Sequence, residues 1–226
     1  RLKPMYKKFA KYYDSIYKHK NYKAESEEIR TLVKKYQTSL GKDMLDVACG
    51  TGNHIRYLKK YFSITGVDLD KYMLDIAKTK IPNIELINSD MRTFVINRQF
   101  DVILCLFSAI AHMKTYSNLE KAIQNFTKHL KPGGIMIIEP FVNPGQFIEN
   151  QIHAAYVIEP KLKLARFCLT KRKDNVAVLN FNFLVGEKGK IRYFTDRQDL
   201  GMFEIIKVKS IFRRCGLKTI ILKEGV

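Results

Sequence analysis

Three acidic side chains in the first half of the chain each stand near the end of a short apolar run. Asp46 lies in "LDVACGTGNH", where it precedes Gly50 and Gly52. Asp68 lies in "GVDLD" and Asp90 in "NSDM", each after a further apolar run. Glycines allow a tight backbone turn against a ligand, and carboxylates can bind an ammonium group or the hydroxyls of a ribose. The spacing therefore predicts a site for a nucleoside-containing ligand.

The glycine turn by itself fits three interpretations: a nicotinamide dinucleotide, a nucleoside-based methyl donor, or a tight loop that binds nothing. A dinucleotide fingerprint requires a third glycine or alanine where this chain has Ile55. The carboxylate of Asp46 would also repel a pyrophosphate, whereas it attracts a cationic amino acid. A single aspartate at a strand end is usually a turn former or a helix cap, but three with a glycine loop favour a ligand site.

Alternating strand and helix patterns from residue 25 onward position these turns. Apolar runs predict strands over 43–49, 63–69, 83–90, 100–107 and 134–140, and amphipathic segments predict helices over 28–36, 54–62, 71–79 and 118–130. Strands buried on both faces read as continuous apolar runs, and their alternation with helices builds a parallel sheet. The predicted fold class is therefore α/β, a doubly wound, mostly parallel, Rossmann-like sheet that binds ligands at the carboxyl ends of its strands.

The pattern changes after Pro140. Strand composition over 163–173, 176–188 and 190–198, with turns at 174–175 and 188–189, predicts an inserted antiparallel sheet. A helix over 204–215 and a strand over 217–222 are predicted to follow. We expect one domain over residues 1–226, divided into an N-terminal helical lid (1–40), a cofactor-binding core (41–140), an acceptor-side sheet (141–199) and a terminal helix and strand (200–226).

Composition narrows the class of protein. The 226 residues are 46% hydrophobic, enough for a substantial core, and carry a formal net charge of +18. Such a charge is compatible with a basic RNA-binding protein, but the lysines are scattered, and the densest cluster, 169–175, falls at an expected hairpin turn. No apolar run approaches the roughly 20 residues that span a bilayer. We therefore expect a soluble, cytoplasmic protein without a membrane partner, and nucleic-acid binding remains the alternative.

The cysteines indicate neither a disulfide framework nor a metal site. Cys49, Cys105, Cys168 and Cys215 are far apart in the sequence, with no CxxC pair and no cluster of histidine and cysteine at metal-ligand spacing. No metal is therefore predicted.

The ordered set "LDVACGTG", "GVDLD", "NSDM", "FDVILCLF" and "LKPGGIMIIEP" resembles the class I S-adenosylmethionine-dependent methyltransferases over about residues 40 to 140. The resemblance implies S-adenosyl-L-methionine as the cofactor. It also implies that Asp46 and the glycines hold the methionine moiety, Asp68 the ribose, and Asp90 with Met91 the adenine. The cofactor-binding set implied in this way is Tyr13, Tyr22, Asp46, Ala48, Gly50, Gly52, Asn53, Asp68, Leu69, Met73, Asp90, Met91 and Leu106.

The flanking segments are similar to a narrower group. "YYDSIYKHKNYKAE", "CLFSAIAHM", "EPFVNPGQF" and "NFLVGEKGKIRYFTDRQDLGMF" resemble the N,N-dimethyltransferases that act on the amino group of nucleotide-linked deoxysugars. The resemblance implies N-methylation of an amino sugar. Alternatives are methylation of another small molecule at oxygen or carbon, or a basic RNA-binding protein on the same fold. No [DN]PPY tetrapeptide follows the fourth strand, and no proline precedes Cys105, which favours a small-molecule acceptor. The oligomeric state stays open.

Two side chains are candidates for catalysis. An alkylamine is protonated near pH 7, so an N-methyltransferase benefits from a base whose pKa lies near the working pH. His112 follows the fourth strand in "AIAHM" and is the candidate base, and Tyr6 is the second catalytic candidate. Tyr13 and Tyr22 lie on the predicted lid, where the resemblance implies contact with the donor, whereas Tyr17 is expected to pack.

Overall fold

A five-stranded parallel sheet forms the centre of the protein, in a computed structural model that describes residues 9–222. Its strands are β1 Asp43–Val47, β2 Ser63–Asp68, β3 Glu85–Asn88, β4 Phe100–Cys105 and β5 Leu130–Ile138. The strand order is β3-β2-β1-β4-β5, and every neighbouring pair is parallel. The order reverses between β1 and β4, and the crevice at their carboxyl ends is where such sheets bind ligands.

Helices cover both faces of this sheet. They are α1 Ala10–Ile16, α2 Tyr22–Tyr36, α3 Asn53–Leu58, α4 Lys71–Lys80, α5 Tyr116–Lys128 and α6 Ile205–Arg214. One face packs against α2, α3 and α4 through a cluster that includes Ile29 and Ile55. The opposite face packs against α5 and α6 through a cluster that includes Phe126 and Ile211. The predicted doubly wound α/β fold is confirmed.

Polar side chains fix the starts of three helices. The Asp70 carboxylate accepts hydrogen bonds from the backbone N–H groups of Tyr72 and Met73 and so begins α4 directly after β2. Asn21 and Thr115 cap α2 and α5 in the same way. Because such caps satisfy N–H groups that the helix itself leaves free, these helices begin at fixed distances from the ends of the strands.

A second sheet of four antiparallel strands follows the first. Its strands are β6 Ile152–Glu159, β7 Leu162–Lys173, β8 Val176–Glu187 and β9 Lys190–Gly201. The two predicted turns are confirmed, with Asp174 and Gly189 in the left-handed region. One face of the sheet packs against α1, where Phe9 and Ile16 contact a cluster that includes Phe181 and Phe183. We call this the inner face of the second sheet.

The structure differs from the sequence-based expectations in three places. Residues 217–222 have no regular secondary structure, and Ile220, Ile221 and Leu222 are exposed, so the predicted final strand is wrong. Strand β5 begins at Leu130 and runs through the "KPGG" segment, which was expected to separate helix and strand. Strand β6 was not predicted, because most of its side chains are exposed and it lacks a buried alternation.

Two further properties concern the described residues 9–222 as a whole. None of their helices is both long and apolar enough to cross a membrane. They contain four free cysteines, and nowhere in them do three or more His, Cys, Asp or Glu side chains come together in a group that could hold a metal ion.

Candidate active site

A cavity opens at the carboxyl ends of β1 and β4, between the sheet and the N-terminal helices. Its lining consists of Tyr13, Tyr22, Asp46, Ala48, Cys49, Gly50, Thr51, Asn53, His54, Leu106 and Phe107. Seven of these side chains belong to the predicted cofactor-binding set. They come from four separate segments of the sequence, and the parallel sheet together with the helices that cover it brings them to one point.

Two buried carboxylates lie beside this cavity. Asp46 is only 3% exposed, and burial raises its pKa to about 7, an effect that His54 opposes and Asp68 increases. Asp68 accepts hydrogen bonds from the backbone N–H of Gly50 at 2.7 Å and of Asp70 at 2.8 Å. Burial raises the pKa of Asp68 to about 6, although these hydrogen bonds oppose the shift. Within residues 9–222 neither carboxylate has a lysine or arginine ion-pair partner, so the site favours a cationic or hydroxyl-bearing ligand.

The loop between β1 and α3 has an unusual backbone. Ala48, Gly50 and Gly52 all have positive φ angles, of 59°, 55° and 76°. A Cβ atom at Gly52 would lie 2.6 Å from Cδ1 of Ile81, so a side chain is excluded there both by the backbone conformation and by packing. The loop thereby turns tightly enough to let α3 begin at Asn53, with Gly50 held by the Asp68 carboxylate.

Six residues of the predicted set lie outside the cavity lining. Gly52 and Asp68 belong to the glycine loop and to β2, and the other four are Leu69, Met73, Asp90 and Met91. Leu69 is exposed, whereas Met73 is buried in the cluster that contains α1. Met91 is nearly buried in the core. Asp90 forms an ion pair with Arg92 at 2.5 Å, which lowers the pKa of the carboxyl. The roles of these four residues stay predictions.

A polar network that sequence reasoning missed connects α1 to the glycine loop. The Asp14 carboxylate accepts hydrogen bonds from the Thr51 hydroxyl at 2.7 Å and from the Asn53 amide at 3.0 Å. Lys80, at the end of α4, forms an ion pair with Asp14 at 2.8 Å and donates to the Asn53 side-chain oxygen at 2.5 Å. The network joins three elements and holds α1 over the cavity.

A second network joins α2 to the same loop. His54 contacts Glu25 through Nε2 at 2.8 Å, and Glu25 also forms an ion pair with Lys20 at 2.5 Å. The Tyr22 ring packs edge to face against His54, with centroids 5.0 Å apart. Burial raises the pKa of Tyr22 to about 12, so its hydroxyl is protonated at neutral pH. Tyr22 lines the cavity, and its contact with the donor stays a prediction.

The segment after β4 forms the other wall of the cavity. Phe107 and Ser108 both have positive φ angles, of 51° and 58°, and the Glu139 carboxylate accepts the Phe107 N–H at 2.6 Å. Two adjacent non-glycine residues in this region store backbone strain, which structures retain mainly at functional sites. The short 3-10 helix Ala109–Met113, which carries His112, begins directly afterwards.

Of the two candidate catalytic residues, the structure describes His112 but not Tyr6. His112 lies on the 3-10 helix, where burial and then Lys114 lower its pKa to about 4. The imidazole is therefore neutral at pH 7 and a weak base. Tyr6 lies outside the described residues, so its role stays a prediction.

Comparison with known proteins identifies the family. A family model described as a methyltransferase domain matches residues 44–134. A dTDP-3-amino-3,4,6-trideoxy-alpha-D-glucopyranose N,N-dimethyltransferase from Streptomyces venezuelae is 33% identical over 217 residues, which cover 94% of this chain and 91% of that protein. The chain belongs to the S-adenosylmethionine-dependent methyltransferases. A dTDP-4-amino-2,3,4,6-tetradeoxy-D-glucose N,N-dimethyltransferase from Saccharopolyspora spinosa is 31% identical and covers 91% of this chain and 84% of its own length.

Solved structures agree with this assignment. The crystal structure of Streptomyces venezuelae DesVI matches with a TM-score of 0.90 at 32% identity, over 96% of this chain and 93% of that chain. The SAM-bound structure of CalS10, an amino pentose methyltransferase from Micromonospora echinaspora, matches with a TM-score of 0.81 at 28% identity, over 92% and 87% of the two chains. The resemblance to class I methyltransferases is thus confirmed over nearly the whole chain.

The cavity of this methyltransferase fits S-adenosylmethionine, its cofactor. The donor carries an ammonium group, a sulfonium and a ribose, and the buried carboxylates Asp46 and Asp68 lack a lysine or arginine partner in the described chain. Charges buried without partners are costly, so a cationic, hydroxyl-bearing ligand supplies what this site lacks. Tyr13 and Tyr22 place aromatic faces beside the cavity, a surrounding that suits a cation.

Replacing Lys80 by methionine is expected to speed dissociation of the demethylated product, S-adenosylhomocysteine, by about tenfold. The substitution removes the hydrogen bond from Lys80 to the charged Asp14, and one such bond contributes roughly 1.5 kcal/mol or more. With α1 held less firmly, the cavity opens more often. Stopped-flow displacement of the product measures this rate.

The matched control is Lys78→Met, which removes an exposed lysine two residues away on the same helix. It should leave the dissociation rate unchanged. High salt should speed release from the parent protein, because it screens a partly exposed ion pair, and should have little effect on the Lys80 variant. Equal rates for the two variants would mean that this network does not hold the donor in place.

Proposed function

We propose that this methyltransferase transfers methyl groups to the amino nitrogen of a nucleotide-linked amino sugar. The observation that carries the proposal is that relatives aligned over nearly their whole length, rather than over the cofactor-binding core alone, act on dTDP-linked amino sugars. Because the alignment includes the N-terminal helices and the second sheet, it extends to the parts of the chain that differ most among methyltransferases.

The chain's residues serve this reaction mainly by position. When bound, S-adenosylmethionine supplies a methyl group that an amine lone pair can displace from sulfur. Asp46, Asp68 and the glycine loop orient the donor, and α1 with the Phe107 wall covers the reacting centre. Holding two reactants in a near-attack arrangement can contribute on the order of 7 to 11 kcal/mol in favourable systems. The acceptor must also arrive with its nitrogen uncharged.

A small acceptor fits this enclosure better than RNA does. The inner face of the second sheet packs on α1, and the 3-10 helix Ala109–Met113 packs on β9, so elements surround the mouth of the cavity. A nucleic acid would need an open, basic track leading into the site. We further propose that the core and the second sheet work as one domain and that the enzyme acts in the cytoplasm.

The direct test incubates the purified enzyme with labelled S-adenosylmethionine and dTDP-3-amino-3,4,6-trideoxyglucose, the acceptor of a relative. Mass spectrometry should show one and then two added methyl groups on nitrogen. The matched control acceptor carries a hydroxyl in place of the amine and should stay unmethylated. Methylation of the hydroxyl compound or of RNA, with none of the amine, would overturn the proposal.

We propose that His112 orients the acceptor rather than removing its proton. A base works best when its pKa lies near the operating pH, and the pKa of His112 is about 4. The His112→Ala variant should therefore lose less than about tenfold in kcat, well below the 100-fold or more of a lost general base. Steady-state kinetics measure this loss, with the exposed His153→Ala as control.

The pH profile separates the two roles of His112. If it orients the acceptor, kcat/KM should follow ionisation of the acceptor amine in both the parent enzyme and the variant. A loss above 100-fold that recovers at high pH would instead identify His112 as the general base.

A further inference from the structure

Two oppositely charged side chains share the inner face of the second sheet. Arg166 on β7 pairs in register with Phe183, and Asp196 on β9 pairs with Phe181. Directly opposed residues of antiparallel strands point to the same face, and both phenylalanines belong to the cluster beneath α1. Arg166 and Asp196 therefore point toward α1 rather than toward solvent on the other side of the sheet.

Each of these side chains has a buried polar atom for which residues 9–222 supply no hydrogen-bond partner. Arg166 donates through Nη1 to the Tyr17 hydroxyl at 3.0 Å, and Asp196 accepts the Arg197 N–H through Oδ1 at 2.9 Å. Arg166 Nε and Asp196 Oδ2 are buried and have no hydrogen-bond partner among residues 9–222. Native proteins satisfy nearly all buried polar atoms, so two unsatisfied charged groups on one face require an explanation.

Their position relates them to the site of methyl transfer. Arg166 donates a hydrogen bond to the hydroxyl of Tyr17. The Tyr17 ring packs edge to face against Phe107 with centroids 5.0 Å apart, and Phe107 lines the donor cavity. On the other side, β9 packs against the 3-10 helix that carries His112. Arg166 is thus connected to the cavity through Tyr17 and Phe107, and the strand of Asp196 packs against the helix that carries His112.

We infer that Arg166 and Asp196 form a binding surface for the sugar ring of the acceptor. Arg166 Nε–H donates a hydrogen bond to a hydroxyl or ring oxygen, and Asp196 Oδ2 accepts one from a sugar hydroxyl or the amino group. The inference rests on the proposed function and specifies its acceptor: the chemistry requires a hydroxylated ring that offers both donors and acceptors, and disfavours a simple alkylamine of the same size.

The effect of replacing Asp196 distinguishes a purely structural role from a role in acceptor binding. Burial raises the pKa of this carboxyl. Desolvation therefore disfavours its ionised form in the free enzyme. If Asp196 served only the fold, its replacement by asparagine would leave acceptor binding unchanged. If it serves the acceptor, the same replacement should raise thermal stability while weakening the acceptor, because binding sites retain groups that folding alone disfavours.

The experiment measures binding of dTDP-3-amino-3,6-dideoxyglucose, the acceptor of another relative, to the enzyme saturated with S-adenosylhomocysteine. Asp196→Asn should raise the acceptor Kd by about tenfold or more, the scale for a lost hydrogen bond to a charged group, and raise Tm. Arg166→Lys keeps the charge near Tyr17 but removes Nε–H, and it should raise the acceptor Kd to a similar degree. Affinity for S-adenosylhomocysteine should not change in either variant.

Matched controls come from the same strands. Arg197→Gln and Lys163→Met each remove an exposed charge next to or near the tested residues, and neither should change the acceptor Kd. An unchanged acceptor Kd in both Asp196→Asn and Arg166→Lys would overturn the inference while the parent enzyme still methylates the amino sugar. Absence of methylation by the parent enzyme would instead overturn the proposed function. A lowered Tm of the Asp196→Asn variant would show that Asp196 has a structural role.

Discussion

Replacing Asp68 by alanine is expected to weaken binding of S-adenosylhomocysteine by about 1,000-fold. Two losses combine. The ribose loses charge-assisted hydrogen bonds, each worth roughly 1.5 to 3 kcal/mol. The N–H groups of Gly50 and Asp70 lose the acceptor that holds the glycine loop against β2. Because the loop positions the rest of the donor site, the substitution removes more than the ribose contacts alone.

Calorimetric titration tests this prediction, with circular dichroism to show that each variant is folded. Asp68→Asn should bind with intermediate affinity, since one side-chain oxygen remains as an acceptor. Asp75→Ala removes an exposed carboxylate on α4 that pairs with Lys71, and it should bind as the parent does. An affinity of the Asp68→Ala variant within threefold of the parent value would show that Asp68 does not contact the ribose.

The sequence was sufficient to predict the central sheet and the position of its acidic residues. Strands β1, β2 and β4 are buried on both faces, so their apolar runs are continuous and easy to recognise. Asp68 is the last residue of β2 and Asp46 the last but one of β1, so both fall at carboxyl ends. Parallel strands end at one edge, so the meeting of these residues follows from the fold class alone.

The networks that hold the N-terminal helices could not be predicted in this way. Asp14 and Lys80 are separated by 66 positions in the sequence, and no periodic pattern connects a residue of α1 with the last residue of α4. Glu25 and His54 are related similarly. Such contacts depend on the angle at which a helix crosses the sheet, which local propensities do not determine.

The acceptor side was predictable only by resemblance to known enzymes. Two of the three hairpins of the second sheet were recognisable from their turns. The side chains of its inner face, however, are distinguished from those of its outer face by register and by the packing of α1. The depressed pKa of His112 likewise arises from burial that its sequence context does not reveal. A histidine in a loop therefore suggested a base with a pKa near 7, whereas burial makes His112 a weaker base.

The donor site combines two buried carboxylates whose ionised forms are disfavoured in the free protein. The affinity for the donor should therefore depend on pH. Burial raises the pKa of Asp46 to about 7, whereas an ammonium group at the site stabilises the carboxylate and lowers that pKa in the complex. The donor therefore binds the ionised form. Below pH 7, Asp46 must lose a proton for binding, so affinity falls as the pH decreases.

Protonation of Asp46 alone is expected to lower the affinity for S-adenosylhomocysteine by about 100-fold between pH 7 and pH 5, because each pH unit below a required pKa costs about tenfold. Asp68, with a pKa of about 6, should steepen the decrease below pH 6. At high pH affinity should fall again, once the ligand's α-amino group loses the charge that Asp46 binds. Calorimetry in buffers of different ionisation enthalpy should detect proton release near pH 6.5.

Asp46→Asn is the decisive variant, because it keeps the shape of the side chain and removes its ionisation. It should bind more weakly than the parent at pH 7.5 and lose no more than about twofold in affinity between pH 7 and pH 6, because Asp68, with a pKa of about 6, is only half protonated at pH 6. Only the steeper decrease from Asp68 should remain below pH 6. A parent profile that is flat from pH 5 to pH 8 would mean that Asp46 is already ionised in the free enzyme, and a variant that keeps the parent's slope would assign the titration to another group. In either result, the ammonium of the methionine moiety would need a partner other than Asp46.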